Sequence, residues 1–218
     1  ELPVTLESVL QAVEQLGAGK VAHDENVAKV SVVGLGMAKQ SGVAEKMFAA
    51  LAAESVNIQM ITTSEIKISV LVERDAAQTA LRAVHRAFDL DKPSPGGVTP
   101  LTSSHAKANP ADVASRLRGA NMEELFIDDI SLDETQGRVT ISGLPDQPGI
   151  AAQVFRDVAA GGVFVDMIVQ SHGSHADRAS LSFTVPRGQV AKATEVARRL
   201  VKQLGCKDVS SCPHIAKL

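Results

Sequence analysis

Apolar positions in the first stretch recur at helical spacing: Leu6, Val9, Leu10, Val13 and Leu16 predict a helix over 4–17. A valine-rich run then predicts a strand at 27–33. Residues 42–54 carry Val43, Met47, Phe48 and Leu51 on one face, so a second helix is expected there. Two strands follow, at 56–62 and 66–72, and then a helix at 75–88 whose apolar side is Ala76, Ala80, Leu81, Val84 and Phe88. The order strand-helix-strand-strand-helix is the start of a ferredoxin-like βαββαβ unit. The same order returns as a strand at 138–143, a helix at 149–160, strands at 163–169 and 180–185, and a helix at 189–203. An extra strand, 125–132, precedes the second set, and Asp133-Glu134-Thr135-Gln136-Gly137 makes the turn of a hairpin. Residues 91–109, rich in Pro, Gly and Ser, read as linker, and a short helix is expected at 111–119.

The two sets are related in sequence as well as in pattern. Val30-Ser31-Val32-Val33-Gly34 resembles Val139-Thr140-Ile141-Ser142-Gly143, and Gly42-Val43-Ala44 opens its helix as Gly149-Ile150-Ala151 does. A second repeat aligns Leu16-Gly17 with Leu204-Gly205, and runs on without a gap to Ala28-Lys29-Val30 against Ala216-Lys217-Leu218. The expected organisation is therefore a piece of a longer alternating array. Residues 1–24 would be the tail of a preceding module, 25–90 one module, 91–121 a linker, 122–211 a second module, and 212–218 the start of another. The expected fold class is α+β, with ferredoxin-like βαββαβ modules in tandem.

Composition narrows the function. Among 218 residues, 44% are hydrophobic and 22% charged, which suits a folded globular chain and argues against wholesale disorder. The net charge is −3 with signs interspersed, and there is no Trp or Tyr on which bases could stack, so nucleic acid is not an expected partner. No stretch reaches the ~18–20 apolar residues of a membrane span. Two cysteines make no disulfide scaffold and fit a reducing, cytoplasmic setting. Cys206, Cys212 and His214 match no usual zinc spacing, and Gly34-Leu35-Gly36 lacks the third glycine of a dinucleotide fingerprint. No metal or catalytic residue is expected.

At residues 139–170, Leu144-Pro145-Asp146-Gln147-Pro148-Gly149-Ile150-Ala151-Ala152 and Val165-Asp166-Met167-Ile168-Val169-Gln170 resemble the first ACT module of the aspartate kinases. Residues 29–72, with Asn57-Ile58-Gln59-Met60-Ile61 running into Thr62-Thr63-Ser64-Glu65-Ile66-Lys67-Ile68-Ser69-Val70, resemble the second module of that family. The resemblance implies a regulatory region that binds lysine and/or threonine at interfaces between modules and controls ATP-dependent phosphorylation of aspartate. It implies feedback inhibition of lysine and threonine biosynthesis, and a homodimer paired through ACT modules. ATP and Mg would belong to the kinase domain of the parent protein; no cofactor is expected in this region, which carries neither a Gly-rich phosphate loop nor the family's kinase motif.

Two effector sites follow from the resemblance. One joins Asp146, Gly149, Ile150, Ala151 and Gln170 to Asn57 and Ile58 of the other module; the second uses Ser41, Gly42, Val43, Ala44, Thr63 and Ser64. The chemistry suits a free amino acid: amides at a helix N-terminus take its carboxylate, and a side-chain carboxylate such as Asp146 takes its ammonium. The residues alone leave plainer readings open. Pro-Asp-Gln-Pro-Gly also makes an ordinary turn and helix start. A stand-alone amino-acid sensor, or a structural dimerisation module without kinase activity, is compatible with the same pattern.

Overall fold

The computed structural model describes residues 2–19, 21, 23–34, 42–64, 66–92, 132–172 and 177–217. Most of the expected linker, the short helix at 111–119 and the strand at 125–132 up to Ser131 lie outside the described residues, as does Ser41.

After helix α1 (Leu2–Leu16), the first module runs β1 (Val27–Val33), α2 (Val43–Ala53), β2 (Met60–Ser64), β3 (Lys67–Glu73) and α3 (Ala77–Ala87). The second runs β4 (Gln136–Pro145), α4 (Ile150–Ala160), β5 (Ile168–His172), β6 (Arg178–Pro186), α5 (Val190–Leu204) and β7 (Asp208–Cys212). The repeated α+β order expected from the apolar pattern is present in both. β7 supplies the fourth strand of the second module and lies antiparallel to β4, with Ile141 opposite Val209.

The seven strands among the described residues form one antiparallel sheet in the order β1-β3-β2-β5-β6-β4-β7. The modules join at β2 and β5, where Ile61 faces Gln170 and Thr62 faces Val169. Strand alternation sends every second residue to one face. On one face Val30, Val70, Ile61, Leu181 and Ile141 form a row across the sheet, and all five are buried. The opposite face carries a row of small polar residues instead, with Ser31 and Ser69 hydroxyls 2.9 Å apart, and Thr140 and Ser182 likewise 2.9 Å apart.

Helices α2 and α4 meet over the seam. Phe48 and Phe155 rings are 5.5 Å apart, and Phe155 makes an edge contact with Phe183 at 5.9 Å. Buried residues of both modules form one contiguous core. Helix α1 buries no residue, and Leu16 and Val4 on it are 79% and 68% exposed.

Two strand starts differ from expectation. The apolar segments at 56–62 and 163–169 are expected as strand from their first residues, yet β2 begins at Met60 and β5 at Ile168. Backbone hydrogen bonding explains the difference. Val56 N–H closes the end of α2 on Leu51 C=O, Phe164 N–H goes to the Gln189 side chain, and Met167 N–H goes to the Thr184 hydroxyl. These amides are satisfied by loop and side-chain partners, so the segments run as irregular backbone beside the seam.

Candidate functional site

Two cavities flank the seam, one on each side of the β2–β5 pair, and an approximate two-fold axis through the facing Thr62 and Val169 relates them. Each is built from the helix start of one module and the irregular pre-strand segment of the other.

The smaller cavity, about 20 Å³, is lined by Gly149, Ile150 and Ala151 at the start of α4, by Asp146 and Gln170, and by Asn57 and Ile58 from the first module. Every residue expected at this site therefore lies in one cavity. The Asn57 side-chain amide donates to Asp146 Oδ1 at 2.9 Å across the module boundary. Gln170, 7% exposed, donates through Nε2 to Ile58 C=O at 2.9 Å. Its donor is thus engaged by the opposite module in this state.

Gly149 positions the helix start. Its φ of 89° lies in the left-handed region, which side chains disfavour, and it caps α4. The helical ladder begins with Gln153 N–H donating to Gly149 C=O at 2.9 Å, so the Ala151 and Ala152 amides precede the first intrahelical bond. Ala151 and Ala152, at the positive end of the helix dipole, line the cavity that Asp146 also lines.

The larger cavity, about 60 Å³, is lined by Gly42, Val43 and Ala44 at the start of α2 and by Thr63 and Ser64 at the end of β2. Gly42 has the same φ of 89°. Thr63 ties the wall together, its Oγ1 accepting from Ile168 N–H at 2.8 Å. Two carboxylates reach this cavity. Glu45 is a half-exposed neighbour of Arg156 at 3.9 Å, and Asp166 comes from the second module.

Asp166 is absent from the set of residues expected at the site. Its side chain is 10% exposed and accepts from Lys217 Nζ at 2.8 Å. A signal existed in the sequence, since Asp166 stands where the other module has Gln59, at the rim of the same pre-strand segment.

An ACT domain family model matches residues 30–88 and 139–199, which are the two sheet-and-helix units flanking the seam. The chain belongs to the ACT-domain family. Aspartokinase from Pseudomonas aeruginosa is 52% identical over 92 residues, covering 42% of this chain and 22% of that protein. Aspartokinase from Helicobacter pylori is 53% identical over 72 residues, covering 33% of this chain and 18% of its own length. The solved structure of aspartate kinase from Synechocystis matches 91% of this chain and 31% of that one, with a TM-score of 0.71 and 28% identity. This chain spans about a fifth of the length of the curated relatives it matches. Its two units are a tandem ACT pair similar to part of the aspartokinases, joined side by side through β2 and β5.

No helix among the described residues is long and apolar enough to cross a membrane.

Proposed function

We propose that this ACT pair is the regulatory part of an aspartate kinase and that its two seam cavities bind lysine and/or threonine as feedback inhibitors. The observation that carries this reading is the make-up of the smaller cavity, where helix-start amides, a carboxylate (Asp146) and an amide side chain (Asn57) converge from two modules. A free amino acid presents one carboxylate and one ammonium, and this set complements both. By the same logic the α2 start takes the ligand carboxylate in the larger cavity, and Asp166 takes an ammonium there.

Each cavity as it stands is smaller than the ~150 Å³ dry cavity that holds benzene in an engineered core. Binding therefore requires the seam to open, with the ligand replacing the Asn57–Asp146 and Gln170–Ile58 contacts. That requirement supplies the allostery. An effector that binds only the opened packing shifts the two packings relative to each other, and coupling of ~1–3 kcal/mol is typical of such devices. In the parent protein the shifted packing disfavours the kinase state that phosphorylates aspartate from ATP and Mg. Copies of the chain pair through their ACT modules, and the protein works in the cytoplasm.

The small volume of the Asp146 cavity, about 20 Å³, favours a second reading, a structural pairing module with vestigial sites. Calorimetric titration of the chain with L-lysine and L-threonine separates the two. The effector reading predicts saturable binding of at least one, weakened tenfold or more by Asp146→Ala or Asn57→Ala in a chain that still folds. Absence of binding by the folded wild-type chain supports the pairing module.

A further inference from the structure

The larger cavity is wired to the C-terminal segment of the chain. Asp166 lines it and is nearly buried, and among the described residues its cation is Lys217, 26% exposed, with Nζ 2.8 Å from Oδ2. Lys217 does not sit in a flexible tail. Its backbone forms a two-way bridge with Asp133, each N–H donating to the other's C=O at 2.8 Å. Asp133 in turn organises the turn that leads into β4, accepting from the Thr135 amide at 2.8 Å and the Thr135 hydroxyl at 2.6 Å. One carboxylate in the cavity wall therefore holds an ammonium that belongs to a backbone bridge outside it.

We propose that Asp166 exchanges ammonium partners, holding Lys217 when the larger cavity is empty and the ammonium of an amino acid when it is filled. The inference rests on the effector reading of that cavity and adds to it an internal competitor. A nearly buried carboxylate needs a cation in either state, because an unpaired charge there is costly. A ligand ammonium and Lys217 offer Asp166 the same chemistry, so each weakens the hold of the other. Lys217 sets the affinity of the cavity for amino acids by competing with them, and its release on binding loosens the bridge to Asp133. Occupancy of the cavity is thereby transmitted to the Asp133–Lys217 bridge and to the turn before β4.

The test follows the amides of Val43, Ala44 and Glu45 by NMR as L-lysine is added, which reports on this cavity alone. Lys217→Met removes the ammonium and keeps the aliphatic stem. The expected result is a severalfold to tenfold tighter midpoint in Lys217→Met. Asp166→Asn should lose the response, and adding Lys217→Met to Asp166→Asn should restore nothing. In the wild-type chain, saturating lysine should speed hydrogen exchange at the Asp133 and Lys217 amides. An unchanged or weaker midpoint in Lys217→Met, or full protection of those two amides at saturation, overturns the exchange while leaving the effector reading intact. A folded wild-type chain whose Val43–Glu45 amides respond to neither L-lysine nor L-threonine overturns both the exchange and the effector reading of this cavity.

Discussion

Gly149 shows how single residues set the site. Its Cα carries no side chain at a φ of 89°, and a Cβ built there would meet only Ala52 Cβ at 3.7 Å, an ordinary contact. The cost of Gly149→Ala is therefore conformational rather than steric, roughly 1–2 kcal/mol for a side chain in the left-handed region. Urea denaturation should show that loss, and Gly149→Asn should recover part of it, because Asn tolerates this conformation better. Asp133 makes a residue-scale prediction in pH. The Thr135 hydroxyl, then the Thr135 amide, then the Gln136 side chain hold its carboxyl below the usual aspartate range. A group with a lowered folded-state pKa stabilises the fold above its unfolded pKa and loses that contribution as pH falls through the lowered value. The turn at 133–137 should stay ordered through the range where ordinary aspartates protonate and loosen only below it. A carboxyl-carbon NMR titration of Asp133 checks this, and its midpoint should lie below that of aspartate in an unstructured peptide.

At the scale of elements, the seam is the unusual feature. β2 and β5 share only two facing pairs, Ile61 with Gln170 and Thr62 with Val169. The seam depends as much on side chains, and Thr63 Oγ1 accepts the Ile168 amide at 2.8 Å. Thr63→Val keeps the shape and leaves that amide without its acceptor, which should destabilise by about 1–3 kcal/mol. Thermal unfolding measures it, and an unchanged midpoint would mean the bond is replaced by water. Above the seam, Phe155 touches Phe48 of one module and Phe183 of its own. It is 4% exposed, so Phe155→Ala should cost ~3–5 kcal/mol. Because one core runs through both modules, that loss should appear as one shifted transition with probes in either module. Two separate transitions would show that the modules unfold independently.

For the whole molecule, the repeated α+β order was legible because apolar spacing distinguishes helix from strand, and because the two copies reinforce each other at Gly42 and Gly149. The grouping of Asn57 and Ile58 with Asp146, Gly149 and Gln170 came from the resemblance to ACT modules, since apolar spacing says nothing of which segments face each other. The late starts of β2 and β5 were hidden because a short apolar segment looks like a strand until its amides find other acceptors, as Val56, Phe164 and Met167 do. The pairing of Asp166 with Lys217 was hidden for a related reason: the two lie 51 residues apart, and only the fold brings them together. Joining β2 to β5 turns two modules into one sheet and places every described candidate residue at one of two symmetric cavities, each walled by both modules. The central claim is that a free amino acid binds across that seam. Amide shift mapping of the chain with saturating L-lysine or L-threonine tests it most directly. The account predicts shifts on both sides of one cavity at once, at Gly149–Ala151 together with Asn57–Ile58, or at Gly42–Ala44 together with Val165–Asp166. Shifts confined to a single module, or no shifts in a folded chain, would contradict it.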